Sequence, residues 1–161
     1  MRLQAAALAM SALILSACGG SDTPANSDSS SAADAASSAS SAPVTAAPIT
    51  GTTHDVLMVG DGNGYRYEPA ELTVSQGDGV RFVMVSGAPH NVEFERNGIP
   101  AGSAAQLSAN ISDRMSELAS NMYLNEGDEV TVSFANVPAG EYNIICTPHL
   151  PMGMRGKVTV Q

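Results

Sequence analysis

A chain of 161 residues is long enough for one domain of ordinary size. Its formal net charge of −9 leaves no basic face of the kind nucleic-acid binding needs, so nucleic acid is excluded as a partner. Two cysteines allow one disulfide at most, so the fold cannot rest on a disulfide framework.

The first seventeen residues read as a secretory signal peptide. A single early charge, Arg2, precedes an apolar run over 5–15 and then small residues. That run is too short to span a bilayer. It ends in L-S-A-C at 15–18, which resembles the bacterial lipobox. The resemblance implies cleavage before Cys18 and a lipid on Cys18, whose acyl chains would anchor the protein to a membrane through buried CH₂ groups. Residues 18–50 are nearly all Ser, Ala, Asp, Pro and Thr, with no aromatic residue and no apolar period. Such a stretch buries too little surface to offset the entropy of ordering. It is expected to be a flexible tether, spanning roughly 30 Å as a coil of about 32 residues. If Cys18 carries lipid, Cys146 has no disulfide partner, and an unpaired thiol in an oxidising compartment must be buried or bound.

From residue 51 the composition changes. Runs rich in Val, Ile, Phe and Tyr predict strands over 54–59, 71–75, 80–86, 91–94, 129–135, 141–146 and 156–160. Turn signals separate them: D-G-N-G at 61–64, Q-G-D-G at 76–79, E-G-D-E at 126–129 and P-A-G-E at 138–141. Many short strands so punctuated predict an all-β fold, a sandwich or barrel spanning 51–161. Alternation puts Val130, Val132 and Phe134 on one face, and Tyr142, Ile144 and Cys146 on another. Cys146 then points inward at the end of its strand. Between strands, Ile111, Met115, Leu118 and Met122 fall at i, i+4, i+7 and i+11, which predicts a short helix over 111–122 with Ser112 as N-cap. Tyr65, Tyr67, Tyr123 and Tyr142 are expected to be packing residues. His54 has no partner motif and is expected at the surface.

The chemistry concentrates in C-T-P-H-L-P-M-G-M at 146–154. Pro148 fixes its own φ and biases Thr147 away from helix, so His149 sits at a stiff offset from Cys146. Gly153 gives the chain room to turn before Met154. Upstream, A-P-H-N-V at 88–92 places His90 at a loop–strand junction, also after a proline. One thiolate, two imidazoles and a weak thioether form the donor set of a blue copper centre.

The motif C-x-x-H-x-x-x-x-M at 146–154 resembles the loop of the cupredoxin family, small blue copper proteins of the plastocyanin and pseudoazurin kind. A-P-H-N-V-E-F, G-I-P-A-G, A-G-E-Y-N-I-I-C-T-P-H and G-M-R-G-K-V-T-V occur in the order found in plastocyanins, covering roughly 55–161. The resemblance implies an eight-stranded antiparallel Greek-key β-sandwich with one short helix in a long connection. It also implies one type 1 copper ion held by His90, Cys146, His149 and Met154. Met152 then belongs to a surface patch, and Asn91, Pro89 and Thr147 surround the ligands. It implies an electron carrier rather than an enzyme, shuttling single electrons between a donor and an acceptor redox protein. These would dock briefly at an exposed His149 edge flanked by Leu150, Pro151 and Met152. The acidic docking patch of plant plastocyanins is not reproduced. Ile145 stands where those proteins have Tyr, and Glu93 and Glu95 are followed by Arg96, Asn97 and Gly98. A monomer, exported and tethered through Cys18, is expected in the periplasm or at the outer face of a membrane. A copper carrier that delivers the metal to a copper enzyme is the alternative the same ligands allow.

Overall fold

The computed structural model describes residues 43–161; the expected signal peptide, Cys18 and most of the expected tether lie outside the described residues. Eight strands form two four-stranded sheets. They are β1 (Thr53–Asp61), β2 (Gly64–Glu68), β3 (Glu71–Val74), β4 (Gly79–Met84), β5 (Glu93–Phe94), β6 (Glu129–Ser133), β7 (Gly140–Ile145) and β8 (Arg155–Val160). One sheet runs β2-β1-β4-β6 and the other β3-β8-β7-β5. All seven predicted strands are present, within a few residues of their expected bounds. The eighth, β2, follows the D-G-N-G turn, where Asn63 N donates to Asp61 Oδ1 at 2.7 Å. It escaped notice because it offers only two apolar residues, Tyr65 and Tyr67, before Pro69. The pairing is not purely antiparallel: β1 and β4 run parallel, as do β3 and β8.

The predicted alternation is realised. Val130, Val132 and Phe134 are buried, and Tyr142, Ile144 and Cys146 point into the same core. Phe94, Phe134 and Tyr142 meet edge to face with centroids 5.5–6.5 Å apart, a favoured geometry for aromatic pairs.

The helix is not where the spacing put it. α1 spans Ala104–Asn110, and the chain turns extended at Ile111. Residues 111–122 are drawn into strand-like pairing instead. Ile111 bridges Val132, Arg114 bridges Ser120, and Glu93 bridges Ala119. Ser112 N donates to Thr131 O at 3.1 Å, and Phe94 N to Leu118 O at 2.9 Å. Only half of the supposed apolar stripe is inside: Ile111 and Leu118 are buried, while Met115 is 58% and Met122 37% exposed. Pairing with two sheets outweighed a helical period carried by four residues.

The expected tether also ends earlier than residue 50. Ala47 is buried and its N–H donates to Asn110 Oδ1 at 2.8 Å. Gln106 Nε2 donates to Thr45 O, and the Thr50 and Gly51 N–H groups both reach Gly77 O at 3.0 Å. Asn110 Nδ2 donates in turn to Ser133 O and Ala135 O at 2.8 and 2.9 Å, so one buried amide clamps α1, β6 and the strap over 45–50.

The same end of the sandwich holds Asp78. Its carboxylate accepts from Thr52 N at 2.8 Å, Ser75 N at 2.9 Å and His54 Nε2 at 3.1 Å. His54 is thus paired at this end. The Ser75 N–H, then the His54 and Thr52 bonds, hold the Asp78 carboxyl below its usual range. A carboxyl depressed in the folded state contributes stability above its unfolded pKa of about 3.9, and loses it as pH falls through the lower folded value. Asp78→Asn is therefore expected to lower the melting temperature at pH 7. Melting curves taken from pH 7 down to pH 2 should show that gap closing below about pH 4.

Candidate metal centre

At the opposite end of the sandwich two segments converge. His90 lies where the chain leaves β4, and it pairs through its backbone with Tyr123. His90 N donates to Tyr123 O at 3.0 Å and Tyr123 N to His90 O at 2.8 Å. Cys146 follows β7 directly. Its N–H donates to Met154 O at 3.2 Å, extending the β7–β8 ladder by one step. Between them the loop folds on itself: His149 N reaches Cys146 O at 3.1 Å, and Met154 N reaches His149 O at 3.2 Å. Gly153 turns the chain at φ 85°, a left-handed conformation that favours glycine.

This folding brings three donors together. Cys146 Sγ lies 3.5 Å from His90 Nδ1 and 3.5 Å from His149 Nδ1, and the two nitrogens are 3.3 Å apart. All three residues are buried. An ion bonded at about 2.0–2.3 Å to nitrogen and sulfur sits among donors roughly 3.5 Å apart when they surround it trigonally. The triangle has the size such an ion requires. The His90 tautomer is also set for binding. Ser86 O can only accept, so Nε2–H donates to it at 2.8 Å and Nδ1 keeps its lone pair.

Burial pushes the His90 and His149 imidazoles down and the Cys146 thiol up. The backbone N–H groups of Asn91 and His149, close to the sulfur, pull the thiol partly back. A neutral imidazole offers its lone pair at once, whereas the thiol must give up its proton to an incoming cation.

Asn91 ties the two segments. Its Oδ1 accepts Thr147 N at 2.8 Å, its Nδ2 donates to Thr147 Oγ1 at 3.0 Å, and its backbone O accepts Tyr67 O–H at 2.8 Å. Thr147 Oγ1 donates onward to Glu93 Oε2 at 2.6 Å. Glu95 is paired with Arg155 at 2.8 Å, and Ile145 is buried opposite Glu93. Within the loop Met154 is fully buried and Met152 is 52% exposed, with Pro151 and Pro89 also exposed and Leu150 half-buried.

The exposed His149 edge implied by the family resemblance is not found, since the residue is only 4% exposed. Its imidazole is covered by the ring of Tyr65, stacked at a centroid distance of 3.7 Å and an interplanar angle of 16°. The same ring meets His90 edge-on at 6.1 Å. Nothing local in the sequence marks Tyr65 for this role, because the contact joins residues 84 positions apart, one in β2 and one in the β7–β8 loop.

Comparisons with known proteins agree with this geometry. Residues 54–161 match the model of the copper binding proteins of the plastocyanin/azurin family. A plastocyanin of Synechococcus sp. (strain JA-2-3B'a(2-13)) is 37% identical over 113 residues, covering 70% of this chain and 76% of that protein. A plastocyanin of Prochlorothrix hollandica is 34% identical over 118 residues, covering 73% of this chain and 80% of the other. Among solved structures, a mutant plastocyanin of fern overlays with a TM-score of 0.50 at 29% identity, over 67% of this chain and all of that one. Two sheets closed by a buried nitrogen–nitrogen–sulfur triangle, together with these matches, place the chain in the copper-binding plastocyanin/azurin family, whose cofactor is one type 1 copper ion.

Proposed function

We propose that this protein is a blue copper electron carrier, with His90 Nδ1, Cys146 Sγ and His149 Nδ1 as the strong ligands and Met154 as the weak axial one. The bound ion supplies a one-electron Cu(I)/Cu(II) couple. No substrate bond is made or broken, so the protein is not an enzyme. The observation that carries the reading is the preformed triangle: three buried donors already 3.3–3.5 Å apart, held by backbone bonds. A cage that does not move when its charge changes keeps the reorganisation for electron transfer small. The burial of Met154 and exposure of Met152 favour Met154 as the axial donor.

Donor and acceptor proteins would meet the end that carries Leu150, Pro151, Met152 and Pro89. A small apolar patch of this kind suits brief contacts. No helix among the described residues is long and apolar enough to cross a membrane. Membrane attachment is assigned to a lipid on Cys18, with the domain acting as a monomer in the periplasm or at an outer membrane face.

The test uses the full chain loaded with one equivalent of copper. Electron self-exchange between oxidised and reduced protein, read from nuclear magnetic resonance line widths, should be fast. Copper loss to a Cu(I) chelator should be slow by comparison. The reverse order would overturn the carrier of electrons in favour of a carrier of copper.

A further inference from the structure

His149 sits at the end of the sandwich, in a surface loop, yet it is almost wholly buried. One face of its imidazole is covered by the ring of Tyr65, a side chain of β2. We infer that Tyr65 is a positioning residue of the metal centre: its ring fixes the plane of the His149 imidazole with Nδ1 turned inward, and closes the centre to water on that side. This rests on the copper-site reading above.

The architecture around Tyr65 is built for that placement. Tyr65 is the second residue of β2, opposite Gly60 of β1 and next to Gly64, which takes φ 107° at the hairpin turn. Gly60 must lack a side chain, because a Cβ there would lie 2.6 Å from Tyr65 Cε1. Gly87 must lack one too, because its Cβ would lie 2.4 Å from Gly60 Cα. These two glycines let the end of β1 and the 86–87 turn close on each other, with the Tyr65 ring lying against Gly60.

One carbonyl then joins this layer to the other imidazole. Ser86 O accepts Gly60 N at 2.8 Å and His90 Nε2 at 2.8 Å. The strand end that seats Tyr65 and the ring that carries His90 Nδ1 therefore share one acceptor. Tyr65 touches both imidazoles, one by its face and one by its edge. On its inner side the His149 ring meets Cys146 Sγ and His90 Nδ1 through Nδ1. The flat Tyr65 face lies nearly parallel to the same ring and opposes its turning out of that plane.

The consequence is that a docking partner meets a tyrosine ring on this side, with the imidazole behind it. The stack acts on the resting protein as well as the loaded one, so it can be read without metal. The experiment compares the full chain with Tyr65→Phe, which keeps a ring, and Tyr65→Leu, which fills space without one. In metal-free protein, the His149 ring protons should be shifted upfield in the wild type and in Tyr65→Phe, and should return downfield in Tyr65→Leu. In copper-loaded protein, Tyr65→Leu should lose copper affinity by roughly tenfold, in the range seen when ligand-orienting neighbours are removed. It should also move the reduction potential, while Tyr65→Phe restores both. Unshifted His149 protons in the wild type, or a Tyr65→Leu protein with unchanged affinity and potential, would overturn the assignment. Circular dichroism on each variant separates loss of the stack from loss of the fold. An ordinary pale Cu(II) spectrum in the wild type would instead sink the electron-carrier reading, with the metal-free shifts still deciding the stack.

Discussion

Cys146→Ser is expected to abolish the intense thiolate-to-copper absorption of the loaded full chain and to replace narrow copper hyperfine splitting by the wide splitting of an ordinary Cu(II) site. The fold should survive, because the two side chains are nearly isosteric and position 146 is held by the backbone bond from Cys146 N to Met154 O. What goes is the soft, ionisable donor. A serine hydroxyl stays protonated near neutral pH and cannot supply the charge a thiolate does. Visible and electron paramagnetic resonance spectra after one equivalent of Cu(II) read the difference directly. An unchanged spectrum would remove Cys146 from the ligand set. The same residue gives metal uptake its pH sense. Burial pushes the Cys146 thiol up, so the metal-free protein carries a proton there that loading must release, and copper binding strengthens as pH rises.

The second large effect is expected at Asn91, which binds no metal. Asn91→Ala removes the acceptor for Thr147 N and the donor to Thr147 Oγ1 from a side chain that is itself buried. Thr147 is exposed, so water takes up part of the loss and each bond is worth about 1 kcal/mol. The unfolding free energy should fall by about 2 kcal/mol, seen as a lower denaturant midpoint at constant slope. The Tyr67 hydroxyl bond goes to the Asn91 backbone and survives. Because Asn91 is the side chain that joins the His90 segment to the Cys146 loop, copper affinity should drop as well, by roughly 10–100-fold. Competition with a chelator measures it. A variant that loses stability but holds copper as tightly as before would show that the two segments are kept in register by other bonds.

Much of this was legible in the sequence because it is local. Alternation over 130–134 and 142–146 is a two-residue period, and it placed Val130, Val132, Tyr142 and Cys146 inside without any knowledge of their neighbours. The spacing from Cys146 to His149 and Met154 is short enough for loop stiffness to decide it. Failures came where long-range pairing decides. The Ile111 to Met122 stripe has helical spacing, but bonds to Thr131 and Val92 from other segments pull it straight. Seven residues of α1, with Leu107 as their one fully buried large side chain, are too few to raise a period above the background. The strap over 45–50 has the composition of a coil and is ordered by Asn110, sixty-three positions away from Ala47. Tyr65 reads as ordinary packing until the hairpin folds it over His149 in the β7–β8 loop.

The place of that strap has a mechanical meaning. β1 begins beside it, where Thr53 pairs with Gly79, and ends at Asp61 beside the Tyr65 turn, so it spans the domain from one pole to the other, roughly 26 Å at the usual rise per strand residue. A chain arriving at residue 45 grips the domain by its base. The strap is held there by bonds to Asn110 and Gly77, at the end of β1 away from the imidazoles. On the proposed attachment through Cys18, a leash fastened there would hold the domain by the pole away from His90, Cys146 and His149, leaving the candidate metal centre open to collisions from solution.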